Sequence, residues 1–248
     1  MSIFANTHME EVTHGRERTP DLPRRVVSEF LGTAFLLAAI VGSGIMGERL
    51  AGGNVAIALL ANTLATGAVL ITLILTFGPL SGAHFNPLVS AVEAALGRLR
   101  AGDALLYGLA QIAGAIAGVA VAHAMFGESI VMFSTHVRSG PSQFLSEVVA
   151  TFGLFAVILS GSRHRPGTIP FAVAAYIVSA YWFTASTSFA NPAVTIARSL
   201  TNTFAGIRPV DVPLFVVAQI AGAAAATFCF VWLLPSSEVA DTAETGRP

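Results

Sequence analysis

Gly82-Ala83-His84-Phe85-Asn86-Pro87-Leu88 in the first half of the chain and Phe189-Ala190-Asn191-Pro192-Ala193 in the second decide how the rest is read. Each opens an apolar piece, about residues 86–97 and 191–203, that is too short to cross a bilayer as a helix. Proline suits the first turn of a helix, where its missing N–H costs nothing, and asparagine is a favoured cap just before it. The segments ahead of them, 78–85 and 184–190, are small, polar and poor in helix formers. Such backbone is tolerated at membrane depth only when buried in protein or lining a wet cavity. Each motif therefore predicts a loop that enters to the midplane and returns as a half-helix. A single Asn-Pro is an ordinary turn signal. Two at matching places, each heading a short apolar helix, fit an interrupted-helix pathway instead.

The surroundings are lipid-like. Of the 248 residues, 54% are hydrophobic and only 11% charged, against about one quarter charged in soluble domains. Six stretches are long and apolar enough to span: about 26–47, 54–77, 104–126, 143–162, 168–186 and 212–234. The expected class is an all-α membrane protein of six transmembrane helices plus two re-entrant half-helices. A net charge of -1 offers no basic field for nucleic acid. The lone Cys229 excludes a disulfide framework. The polar segment 1–23 is expected to be a disordered tail, and the first apolar stretch an anchor rather than a signal peptide, since no small-residue cleavage site follows it.

Landmarks recur in order. Ser28-Glu29-Phe30-Leu31-Gly32-Thr33 is matched by Ser146-Glu147-Val148-Val149-Ala150-Thr151, Asn86-Pro87 by Asn191-Pro192, and Ala110-Gln111-Ile112-Ala113-Gly114 by Ala218-Gln219-Ile220-Ala221-Gly222. The expected units are a first repeat over 24–126, a connecting loop over 127–142, a second repeat over 143–235 and a tail over 236–248. Each repeat holds three spans, an odd number, so the second copy enters from the opposite side. Arg16, Arg18, Arg24, Arg25, Arg98, Arg100, Arg163 and Arg165 outnumber Arg49, Arg138, Arg198 and Arg208 on the other side, which places both termini in the cytoplasm of a cell (inner) membrane protein.

Opposed half-helices point their positive amino ends at one place, where the Asn86 and Asn191 amides can donate to a passing oxygen while cations are repelled. Glu29 and Glu147 lie within spans, where a carboxylate is costly. They are read as acceptors for N–H groups of the re-entrant loops, with a proton relay as the alternative. His84 is read as a loop-packing donor rather than a metal ligand, having no second ligand at helical spacing. His123 reads as an interfacial or satisfied residue, and His164 lies in a loop where it could modulate gating. No catalytic residue, metal or cofactor is expected. Gly114 and Gly118 form a Gly-x-x-x-Gly pair that permits close helix contact, as any tight bundle requires.

With these residues in place, the chain over about 24–235 resembles the major intrinsic protein family of aquaporins and aquaglyceroporins. The resemblance rests on the paired Asn-Pro-Ala-like signatures, the Glu-x-x-x-Thr openings and the Ala-Gln-x-x-Gly segments. It implies an hourglass pore in each subunit, a homotetramer, a pore midplane at Asn86, Pro87, Leu88, Asn191, Pro192 and Ala193, and structural support from Glu29, Glu147, His84, Gln111 and Gln219. The family's outer filter, carried over by spacing, falls on Thr66, Ser179, Ser188 and Val194. Val194 stands where most members have Arg, Thr66 where an aromatic is usual, and Leu88 replaces the Ala of the first signature. Leu88 is expected to shift half-helix packing or narrow the midplane slightly.

Four small or medium, uncharged candidates predict a wide neutral filter. That favours glycerol-type polyols, urea, or neutral metalloid hydroxides such as arsenite or methylated arsenicals, and the chain resembles bacterial members associated with arsenic resistance. Arg198, one turn beyond Val194, would place positive potential at the mouth. The partners implied are the lipid bilayer and small neutral solutes. The main alternative is an ion-coupled secondary transporter, which would need acidic coupling residues beyond Glu29 and Glu147. A junction-forming protein lacks an adhesive loop here, and an enzyme lacks a base near the Ser/Thr cluster at 184–188.

Overall fold

The computed structural model describes residues 20–234. The expected tails over 1–23 and 236–248 therefore lie wholly or largely outside the described residues. Helices α1 (Leu22–Leu50), α2 (Val55–Ser81), α3 (Pro87–Ala95), α4 (Ala101–Phe126), α5 (Pro141–His164), α6 (Ile169–Phe183), α7 (Pro192–Arg198) and α8 (Val212–Leu233) follow in order. Single 3-10 turns, Pro166–Thr168 and Pro209–Asp211, lead into α6 and α8. Among the described residues, six helical segments are long and apolar enough to cross a membrane, and α3 and α7 are the short pieces between them.

The starts are chemically explicit. Asn86 and Asn191 sit in extended backbone, and their side-chain oxygens accept N–H groups of the first turn, Leu88 for one and Ala193 and Val194 for the other. Pro87 and Pro192 occupy the position that tolerates them. Asn54 caps α2 in the same way. The second half-helix is shorter than the expected 191–203. After Arg198 the chain turns, and the carbonyls of Ser199 and Leu200 accept the N–H groups of Ser134 and Met132 from the connecting loop. The polar run 199–203 is thus held by a partner segment rather than by its own helical bonds.

Each repeat closes on a glycine. A Cβ at Gly114 or Gly118 of α4 would overlap the backbone carbonyl of Phe30 or Ala34 in α1, and one at Gly222 of α8 would overlap the Val148 carbonyl in α5. Gly114 and Gly222 are repeat-equivalent, so α1–α4 and α5–α8 are the same backbone-close pairing built twice. In lipid, where apolar burial gives helices little reason to associate, this close van der Waals fit supplies the cohesion. The outer surface carries exposed apolar side chains such as Phe35, Phe228 and Trp232, as a lipid-facing wall requires. Six crossings bring both ends of the described chain to one face, here the terminal face; the opposite one is the distal face.

Candidate functional site

The two re-entrant loops meet in the middle of the bundle. Asn86 Nδ2 donates to the Ala190 carbonyl at 2.9 Å, and Asn191 Nδ2 donates to the Phe85 carbonyl at 2.7 Å. Each amide spends one hydrogen on the opposite loop, which leaves one for other use.

Behind each loop stands a buried carboxylate. Glu29 accepts the backbone N–H groups of His84 (3.0 Å) and Phe85 (2.7 Å), the Ser81 hydroxyl (2.6 Å) and Gln111 Nε2 (2.8 Å). Glu147 accepts the N–H groups of Phe189 and Ala190, both at 2.9 Å, and Gln219 Nε2 at 2.6 Å. Gln111 and Gln219 also donate to Ser90 and Thr195 on the half-helices, and His84 Nδ1 lies 3.0 Å from the same Ser90 hydroxyl. The loops need this anchoring because Ala83, Phe85, Ser188 and Ala190 have positive φ, a region costly to residues with a Cβ. Across a planar trans peptide the N–H and carbonyl are antiparallel. Turning the N–H groups towards Glu29 and Glu147 therefore aims the Ala83, His84, Ser188 and Phe189 carbonyls the other way, on loops that line the central cavity.

That cavity holds about 650 Å³. It runs from the exposed Arg98, Ser162 and Arg163 on the terminal face, past Asn86 and Asn191, to Thr66, Tyr181, Ser188, Val194 and Arg198 towards the distal face. Each of those last five is only 2–3% exposed although it lines the cavity, and so are Phe85 and Asn86 at the midplane, so the passage is constricted from the midplane to the distal end. The helices contribute stripes at four-residue spacing, the separation that stacks side chains on one helical face. Leu36 and Ile40, Leu70 and Ile74, Leu154 and Ile158, and Val173 and Ile177 form an apolar wall, facing the polar backbone of the loops.

Four expectations require correction. Ser179 is exposed on the outside of α6 and donates to the Tyr176 carbonyl at 2.7 Å, so it does not join Thr66, Ser188 and Val194. The α6 stripe is Ile169, Val173, Ile177 and Tyr181, and Ser179 lies two residues from two of its members, on the other side of the helix. Tyr181 fills the place, its hydroxyl 3.5 Å from Thr66 Oγ1. Leu88 does not narrow the midplane: it packs with Val89, Phe155 and Leu159 in a separate apolar cluster. Pro87, Pro192 and Ala193 likewise stand behind the cavity wall, with Ala193 in the main core. The constriction is also not neutral, because Arg198 lines it together with Val194.

Arg198 Nε donates to the Ala205 carbonyl, and its guanidinium carbon lies 3.5 Å from the Phe189 ring centroid. Nη1 is buried without a hydrogen-bond partner, as is the Ser188 hydroxyl. Arg138 of the connecting loop approaches the same ring at 5.0 Å, donating to the carbonyls of Gly206 and Ser186. Burial pushes its pKa below the ordinary arginine value. Sequence reasoning missed Tyr181 and Arg138. The four-residue stripe was a usable signal for the first; nothing local marked the second. His123 is fully buried, its Nε2 2.7 Å from Thr201 Oγ1 and Nδ1 2.9 Å from the Ile130 carbonyl.

The family model described as major intrinsic protein matches residues 16–168, more than half of the chain. The chain is 58% identical over 214 residues to aquaglyceroporin AqpS of Rhizobium meliloti (strain 1021), covering 86% of this chain and 91% of the relative. It is 29% identical over 228 residues to an aquaporin Z of Bradyrhizobium diazoefficiens, covering 85% and 93%. The X-ray structure of the aquaglyceroporin from Plasmodium falciparum superposes with a TM-score of 0.65 at 19% identity, covering 87% of this chain and 98% of that one, which is a likeness of fold.

Proposed function

Because this chain belongs to the major intrinsic protein family of membrane channels, we propose that it passes small uncharged solutes bulkier than water, passively and down their gradients. It is a multi-pass membrane channel of the aquaglyceroporin type and not an enzyme. The finer reading names glycerol-type polyols and neutral metalloid hydroxides, including arsenite and methylated arsenicals, as its solutes.

The observation that carries this reading is the two-sided lumen. Branched aliphatic stripes face a polar loop backbone and two asparagine amides along the cavity. A solute with both an apolar and a hydroxylated side is matched on both walls. Water gains nothing from the apolar one. Val194 adds to this, since it neither donates a hydrogen bond nor reaches across the constriction as an arginine would. Against ion-coupled transport, Glu29 and Glu147 are committed to four and three hydrogen bonds that hold the loops. The positive-inside bias of the arginines supports cytoplasmic termini, and the proposed assembly is a homotetramer.

Stopped-flow shrinkage and reswelling of proteoliposomes with glycerol, with arsenite uptake in parallel, tests the proposal against Val194→Arg. The wild type is expected to pass the larger solutes, and the variant to lose about tenfold or more of that flux while keeping water, as a narrower filter carrying a second arginine would. A wild type that passes water alone, or moves solute only under an ion gradient, refutes it.

A further inference from the structure

Arg198 is the largest side chain in the fully buried core, and its chemistry does not suit a core position. No carboxylate lies within ion-pair distance of it among the described residues. Its electrostatic neighbours are Tyr181 of α6, Glu147 of α5 and Arg138 of the connecting loop, the last of which repels it. One terminal nitrogen has no acceptor at all. A buried charge and an unmet donor are both costly.

Holding the distal loop explains little of this. The bonds from the side chain to the Ala205 carbonyl and to Tyr181 could be made by a neutral donor. What needs the cation is the cavity that Arg198 lines. There the guanidinium is fixed by its carbonyl bond and by the face of Phe189, which Arg138 approaches as well. Four residues separate Arg198 from Val194, which places its Cα about 6 Å farther along the helix than that of the valine, at 1.5 Å per residue.

We infer that Arg198 is the specificity-determining cation of the pore, so that selection by charge and selection by size sit on two successive turns of α7. Val194, Thr66 and Tyr181 set the width; Arg198, positioned by Phe189 and Arg138, turns away cations and offers an N–H to a solute oxygen. The inference rests on the channel reading. It gives a pore whose filter position holds valine a means of excluding ions.

The test uses the full chain in proteoliposomes, with potassium and proton leak read by entrapped dyes and glycerol flux read by reswelling in the same vesicles. Arg198→Gln keeps a hydrogen-bond donor and removes the charge. Its cation leak is expected to rise about tenfold or more while glycerol flux stays within about threefold. Arg198→His makes the charge adjustable in one folded sample. Its potassium leak is expected to climb as the pH rises through the imidazole's titration, with no such climb in the wild type. Burial and the Arg138 charge place that titration below the ordinary ~6.5, so the series runs down to about pH 4. Cation leak at the wild-type level in Arg198→Gln, or a pH-independent leak in Arg198→His, overturns the assignment while glycerol flux leaves the channel reading standing. A wild type that passes neither water nor glycerol overturns both.

Discussion

Removing the carboxylate behind the second loop separates a structural role from a proton relay. Glu147 is fully buried and accepts three donors: Phe189 N–H on one oxygen, Ala190 N–H and Gln219 on the other. Glu147→Gln keeps one oxygen, and the least costly orientation aims it at the pair, leaving Phe189 N–H facing an NH₂. One orphaned buried donor costs about 1–3 kcal/mol, and the two surviving bonds weaken by roughly 1 kcal/mol each on losing the charge. Removing a desolvated charge returns part of this, so the net loss is about 2–3 kcal/mol. Glu147→Ala orphans all three donors, roughly 3–9 kcal/mol, which rivals the whole stability of about 5–15 kcal/mol of a typical domain. The assay is the fraction remaining monodisperse in detergent after a temperature series, with glycerol flux of the survivors. The order expected is wild type, then Gln, then Ala, with glycerol flux per folded Gln channel close to normal. A Gln variant as heat-stable as the wild type but without flux refutes the reasoning, because the carboxylate would then act on what passes rather than on the loop.

Two further outcomes follow from the packing. Gly114→Leu drives a side chain into the Phe30 carbonyl of α1 and is expected to cost about 1–3 kcal/mol or more, seen as a lower midpoint in the same heating assay; an unchanged midpoint would mean that α1 and α4 are not in backbone contact. Ser179→Trp places bulk on the exposed side of α6 and should leave glycerol flux within about twofold, whereas Tyr181→Ala opens the constriction and raises flux of larger polyols. The reverse pattern would return Ser179 to the filter.

Local chemistry made much of this protein legible. Six apolar stretches, two capped half-helices and the recurrence of Glu29 and Glu147, Asn86 and Asn191, and Gln111 and Gln219 are properties of short segments and their order. They fix spans, re-entrant loops and the inverted repeat without any knowledge of neighbours, because a bilayer permits so few ways to satisfy a backbone. The rotation of each helix about its axis was not legible in that way. Whether Ser179 or Tyr181 faces the lumen depends on how α6 packs against α2 and α5, and the four-residue stripe names the lumen side only once one member is known to face it. Arg198 shares a short helix with Val194, yet its turn into the cavity is decided by Phe189 and by the Ala205 carbonyl of a later loop. Arg138 reaches the same ring from about fifty residues upstream. Composition and periodicity set the segments; side-chain contacts between segments distant in sequence set the constriction, and only the folded packing brings those contacts together.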